Sequence, residues 1–376
     1  MVSSSPKKFR VLIVDDSAFM RKVLESIFNV DAQLQVVGHA KDGREAITLS
    51  ESLKPDVITM DLNMPHMDGL QATAHIMTNS PRPIVIVSSE SKEGAASTLK
   101  ALELGAIDFV AKPSSGIDLD MQSVKEELLR KVRVAAKVRV VRTASRFANA
   151  VQAPAKAGAP SGAAPRPITA SAVPGFDLRF PVVVVGASTG GPATIMRMAP
   201  GFTRDFPAAV LLVQHMPASF TSQYALQLTE FTGIRVKEAE ANEAIAPGTL
   251  YICPGGQHLR ITPTGRVELD AATGRIEGYL PNIDVTMESV ASYAAAMSIG
   301  VVLTGMGSDG TRGARAIKQA GGLVLAQDEA TCVIFGMPAE AIKAGVVDQT
   351  LGIDEIYAAI EKRVLGLCRA TPVGVR

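Results

Sequence analysis

The sequence predicts an α/β protein of two doubly wound parallel-sheet domains joined by a linker. Three observations carry that expectation. Short, largely β-branched apolar runs alternate with stretches of helical periodicity in two separate series, at residues 8–127 and 176–376. These runs lack the in-and-out alternation of half-exposed strands, which suits strands buried on both faces by covering helices. Between the series, at 128–175, Asp and Glu are absent, and the composition turns first basic and then rich in Ala and Pro.

The length supports the same division, since 376 residues is about two and a half times the ~150-residue prior for one domain. A hydrophobic fraction of 47% with 20% charged residues excludes global disorder. A net charge of +1 provides no overall field for nucleic acid or an anionic membrane, so neither is an expected partner. Cys253, Cys332 and Cys368 are too few and too widely spaced for a disulfide framework or a zinc site, which points to a reducing cytosol. The N-terminus is short and polar and no apolar run reaches the ~18 residues of a membrane span, so a soluble cytoplasmic protein without membrane insertion is expected.

In the first series, strands are expected at 11–14, 36–38, 57–60, 84–87 and 107–111. Asp15 and Asp16 follow the first, Asp61 ends the third, Ser88 follows the fourth, and Lys112 with Pro113 follows the fifth. In a doubly wound sheet those strand ends form one rim, where ligands bind. Taken singly, an Asp or Ser after a strand is ordinarily a helix N-cap. Taken together, three carboxylates on one rim repel one another unless a cation sits among them, and hard oxygen ligands at an open crevice suit Mg²⁺. A carboxylate beside Mg²⁺ and a lysine can attack a phosphoryl group, with Asp61 as the central candidate and Ser88 placed to hydrogen-bond the new oxygens.

The segment 128–175 reads as an interdomain linker. Its basic first half is either a patch for an acidic partner or a solvated helix end, and the scarcity of aromatics beyond Phe147 gives no support to nucleic acid. The part at 153–174 is a low-complexity mix that cannot bury enough surface to fold.

In the second series, strands are expected at 182–185, 209–213, 249–253, 299–304 and 323–326, with hairpin turns around Gly255, Gly265 and Gly274 adding antiparallel strands. The first strand runs into Gly186-Ala187-Ser188-Thr189-Gly190-Gly191-Pro192. A phosphate-cradling loop is one reading, but the G-x-G-x-x-G spacing is missing and the next strand ends on Gln214-His215 rather than an acidic ribose ligand. A turn with a capping serine is another. The third is a G-x-S-x-G nucleophile turn, in which small neighbours let the strand bend sharply and present Ser188. A serine hydroxyl needs a base, and only His215 and His258 lie beyond the linker. His215 ends a strand on the Ser188 rim, whereas His258 follows a Gly-Gly turn. Asp309, in Thr304-Gly305-Met306-Gly307-Ser308-Asp309-Gly310, reaches the same rim and would orient the imidazole, although alone it reads as an N-cap. The order Ser, His, Asp differs from the Ser, acid, His order of α/β-hydrolases.

V-D-D at 14–16, D-L-N-M-P at 61–65, D-G at 68–69 and K-P at 112–113 resemble the receiver domain of two-component response regulators. The resemblance implies a flavodoxin-like domain in which Asp61 is the phospho-acceptor, Asp15 and Asp16 join it around Mg²⁺, and Ser88 and Lys112 are the switch pair. Phe109 stands at the aromatic switch position, without a hydroxyl to hydrogen-bond. G-A-S-T-G-G-P, Q-H-M-P at 214–217, P-N-I-D-V at 281–285 and T-G-M-G-S-D-G resemble the CheB family of chemotaxis methylesterases, with a Rossmann-like output domain.

That second resemblance implies hydrolysis of glutamate methyl esters on methyl-accepting chemotaxis receptors, with possible deamidation of receptor glutamines. The implied triad is Ser188, His215 and Asp309, and the N–H groups of Thr189 and Met306 are the oxyanion candidates. No cofactor is implied for ester hydrolysis, and a sensor histidine kinase would be the phosphodonor. The receiver is then the natural lid over the Ser188 rim. Two alternatives remain: an output domain that only binds a partner, and a nucleotide-binding dehydrogenase.

Overall fold

Residues 8–88, 91–112, 118–138, 180–276 and 278–370 are described by the computed structural model. The Ala/Pro-rich stretch expected at 153–174, the polar N-terminus before Lys8, and Pro113 lie outside the described residues.

The first series folds as β1 (Phe9–Val14), α1 (Ala18–Asn29), β2 (Leu34–Ala40), α2 (Gly43–Leu53), β3 (Val57–Met60), α3 (Gly69–Asn79), β4 (Ile84–Ser88), α4 (Lys92–Glu103), β5 (Asp108–Ala111) and α5 (Asp118–Ala135). Its five strands are all parallel in the order β2-β1-β3-β4-β5. The runs without polar alternation are buried on both faces, as Leu12, Val14, Ile58 and Ile86 face one side and Val11, Ile13, Val57 and Val85 the other. The order reverses between β1 and β3, which opens the crevice at Asp15 and Asp61. N-capping falls to other side chains at four of these helices: Ser17, Asp42, Asp68 and Ser91 cap α1 to α4.

Helix α5 runs on to Ala135, because Leu128, Val132 and Ala135 continue an apolar face into the first core. Lys131, expected in a solvated basic stretch, is buried. Its Nζ donates to Asp108 Oδ1 at 3.1 Å and to the Phe109 carbonyl at 2.6 Å, and it pairs with Glu127 at 2.9 Å.

The second series gives β6 (Val182–Ala187), α6 (Gly191–Met198), β7 (Ala209–Gln214), α7 (Ala218–Thr229), β8 (Arg235–Glu238), β9 (Thr249–Ile252), β10 (His258–Ile261), β11 (Val267–Asp270), α8 (Ile283–Ala294), β12 (Ser298–Val302), α9 (Thr311–Gln319), β13 (Leu323–Gln327), α10 (Met337–Lys343), β14 (Gln349–Leu351) and α11 (Ile353–Ala370). Seven strands form a parallel sheet in the order β14-β13-β12-β6-β7-β9-β8. The antiparallel addition is one hairpin, β10-β11, turned at Gly265. Gly255 and Gly274 lie before and after that hairpin, so neither joins two paired strands.

The two sheets pack through helices. α4 lies against α6 and α7, Gln227 Nε2 donates to the Glu103 carboxylate at 3.3 Å, and the Phe109 and Phe220 rings meet at 4.3 Å between centroids.

Candidate active site

Ser188 follows β6 at the point where the seven-stranded order departs in both directions, to β7 on one side and β12 on the other. The turn depends on glycine at two places. Gly190 has φ +77°, and a Cβ there would strike Val333. Gly305 lets the Thr304–Met306 strand exit come against Ser188, since a Cβ there would lie 2.7 Å from the Ser188 Cβ. Gly190 caps α6 without a side-chain bond, so Ser188 is not the capping serine of the bland reading.

The Ser188 hydroxyl instead meets His215, with Oγ 3.0 Å from Nδ1. Across the ring, Nε2 lies 2.8 Å from Asp309 Oδ2. Asp309 is fully buried, and its carboxylate also accepts the Ile283 N–H at 2.8 Å and the Asp284 N–H at 3.0 Å, the first amides of α8. Asp309 is therefore not the N-cap of its own following helix, which Gly310 begins without a side-chain bond, and α8 is N-capped by Asn282. The Asp309 carboxylate instead meets the positive end of α8, which favours its charge, and meets the imidazole with the same group. A carboxylate accepting from Nε2–H leaves the lone pair on Nδ1, facing the Ser188 O–H.

Asp284 stands behind this pair. Burial pushes its carboxyl up to about 6, the Gly313 N–H opposes that at 2.7 Å, and the Asp309 charge adds to the rise. Tyr279 was not legible as a site residue. Its ring stacks on His215 at 4.2 Å and 15°, and its hydroxyl donates to the Met306 carbonyl at 3.3 Å. His258 is buried in β10 with Nε2 2.7 Å from the Gly274 carbonyl, away from Ser188. Burial drives the Cys253 thiol far upward and the Cys332 thiol to about 12, which disfavours the thiolate at both.

Ser188 and His215 open into a cleft of about 600 Å³ whose opposite wall is the first domain, through Asp108, Glu127, Arg130 and Lys131.

On the first rim, Asp15, Asp16 and Asp61 offer oxygens within 4.8 Å of one another. Lys112 Nζ lies 2.9 Å from Asp15 Oδ2 and 2.9 Å from Asp61 Oδ2. Asp61 Oδ1 accepts the Leu62 N–H at 2.8 Å. Burial raises the Asp61 pKa and the Asp15 charge adds to the rise, against the pull of Lys112. A crowded set of hard oxygen donors of this kind fits a divalent cation. Ser88 is buried, its Oγ 3.4 Å from the Gly94 carbonyl. Phe109 is turned inward, between Phe220 and the Lys131 ammonium, which sits 5.0 Å from its centroid.

Comparison with known proteins follows the same division. The response regulator receiver domain family matches residues 11–123 and the CheB methylesterase family residues 183–360. The chain is 42% identical over 368 residues to protein-glutamate methylesterase/protein-glutamine glutaminase 1 of Oleidesulfovibrio alaskensis, covering 94% of this chain and 99% of that one. It is 41% identical over 361 residues to the protein-glutamate methylesterase/protein-glutamine glutaminase of Pyrococcus horikoshii, covering 95% and 94%. Among solved structures, the Thermotoga maritima CheB methylesterase catalytic domain is 40% identical, with TM-score 0.47, over 49% of this chain and 98% of that one.

Proposed function

The chain belongs to the CheB family of protein-glutamate methylesterases, hydrolases joined to a receiver domain, and on that premise we propose that it removes methyl groups from glutamate esters of methyl-accepting chemotaxis receptors under phosphorylation control. The observation that carries the proposal is the continuous hydrogen-bond line Ser188 Oγ, His215 Nδ1, His215 Nε2, Asp309 Oδ2.

In this reading His215 Nδ1 takes the Ser188 proton as Oγ attacks the ester carbonyl. The carbonyl oxygen becomes an oxyanion, which the N–H groups of Thr189 and Met306 stabilise in this reading. His215 returns the proton to the leaving methanol. Water, deprotonated by the same nitrogen, then releases the glutamate carboxylate. The same steps on a glutamine side chain release ammonia. Asp309 keeps the proton on Nε2 and stabilises the imidazolium, while Tyr279 shields one ring face. No step calls for a cofactor.

The first domain supplies the control. Mg²⁺ held by Asp15, Asp16 and Asp61 would neutralise the transferring phosphoryl charge, with a sensor histidine kinase as donor and Asp61 as acceptor. Lys112 then leaves its two carboxylates for the phosphoryl oxygens, and Ser88 hydrogen-bonds them. Phe109 connects this pocket to Phe220 and so to α7, which begins just after His215. Phosphorylation shifts the equilibrium from a covered to an open cleft. The partners are thus the receptors and the kinase. No helix among the described residues is long and apolar enough to cross a membrane.

Methanol release from methylated receptor membranes tests the chemistry. The wild type should release it, and Ser188→Ala should fall to the uncatalysed background. Equal release by both would remove Ser188 from the reaction.

A further inference from the structure

The wall facing Ser188 and His215 carries unexpected charge. Helix α5 contributes Glu126 and Glu127 to the cleft, beside Arg130 and Lys131, and among the described residues the catalytic domain contributes one exposed cation there, Arg275, on the irregular segment after β11. The Arg275 guanidinium is held toward the cleft by donating to the Gly278 carbonyl at 3.3 Å, one residue before the Tyr279 that stacks on His215. Burial works to raise the Glu127 pKa, but Lys131, Arg130 and, from across the cleft, Arg275 outweigh it and hold the carboxyl below its ordinary range. A helix with adjacent carboxylates thus occupies the mouth of a site whose product, in the function proposed above, is itself a glutamate carboxylate.

We propose that α5 holds the place of an acidic helical substrate segment, and that Arg275 is the specificity residue that recognises carboxylates beside the scissile ester once α5 has left. The inference rests on the hydrolase reading. It follows from charge complementarity: the cation that faces Glu127 in the covered cleft loses that carboxylate when the cleft opens, and an acidic segment replaces it. It also follows from the reaction. A segment with several target side chains gains a carboxylate at each one processed, so Arg275 favours segments already partly demethylated or deamidated. The receiver then competes with substrate for the same cation, and Glu127 contributes to closure.

The test uses the full chain with Mg²⁺ and a small-molecule phosphodonor, and two helical peptides carrying the same glutamate methyl ester. One has glutamates one helical turn to either side, and the other has glutamines there. The wild type should favour the acidic peptide by about threefold to tenfold in kcat/KM, mainly through KM, and added salt should erode the preference. Arg275→Gln should bring the ratio close to one, and Arg275→Lys should keep most of it. The ratio compares two substrates in one enzyme preparation, so partial misfolding of a variant does not affect it. In a separate arm, Glu127→Gln should raise methanol release by the unphosphorylated chain. No acidic preference in the wild type, or a preference that survives Arg275→Gln, would overturn the proposal. Absence of Ser188-dependent methanol from both peptides would overturn the hydrolase reading beneath it, and this proposal with it.

Discussion

Asp61 and Asp309 each stand beyond the C-terminal end of a central strand in a doubly wound parallel sheet, yet their surroundings fit them for opposite tasks. Asp309 accepts from His215 and from two first-turn amides of α8, so its oxygens are occupied and its charge is held by a helix terminus. Asp61 accepts from the Leu62 and Asn63 amides and from a lysine that it shares with Asp15, and burial, with that second carboxylate beside it, raises its pKa. A carboxylate saturated with donors is a fixed anchor for another residue's nucleophile. A carboxylate crowded by two others and sharing its lysine fits a further cation and, in the function proposed above, a phosphoryl group. The rim architecture is shared, and the crowding by neighbouring carboxylates separates the acid proposed to accept from the acid proposed to orient.

The comparison can be broken most severely at Asp309. In Asp309→Asn the amide keeps an oxygen for the Asp284 N–H but turns a donor toward Nε2 and the Ile283 N–H, which forces the imidazole proton onto Nδ1, facing Ser188. Activity should fall about 10³–10⁴-fold in kcat, with the fold preserved by circular dichroism. A fall below tenfold would mean that Asp309 chiefly holds the start of α8. Tyr279→Leu sharpens the same side: loss of the stacked ring should lower kcat about tenfold, while Tyr279→Phe stays close to wild type.

The smallest effect concerns stability. The Asp284 pKa is raised in the folded protein, so folding favours its protonated form and the ionised side chain is destabilising above about pH 6. Asp284→Asn should therefore stabilise the protein at pH 7.5 by about 1–2 kcal/mol. The gain should shrink as pH falls through 6 and vanish only below about pH 3, where Asp284 is neutral both folded and unfolded. Denaturant unfolding midpoints at a series of pH values would show it, and a gain independent of pH would assign the effect to packing.

Much of the molecule was legible because its strands are buried on both faces and its site residues follow strand ends. The central strands of both sheets lie within a few residues of where the apolar runs put them, and Ser188, His215 and Asp309 meet because three neighbouring strands end on one rim. β8 and β14 were missed for a physical reason: both are edges of the seven-stranded sheet. Their sequences, Arg235–Glu238 and Gln349–Leu351, carry no apolar run because one side faces solvent. The end of α5 was hidden by Arg130, Lys131 and Arg133, which interrupt the apolar face. Lys131 is nevertheless buried, because Asp108 and Glu127 match its charge. Tyr279 and Arg275 lie in an irregular segment without periodicity, where spacing gives no direction. Only the nearby P-N-I-D-V motif signalled that this stretch reaches the site.

The division of labour between the two rims is tested most directly by methanol release from methylated receptors, with and without a small-molecule phosphodonor, in the wild type and Asp61→Asn. The account predicts that the phosphodonor raises the wild-type rate and leaves Asp61→Asn at its unstimulated, Ser188-dependent level. A phosphodonor response that persists in Asp61→Asn, or a wild-type rate that does not respond at all, would contradict it.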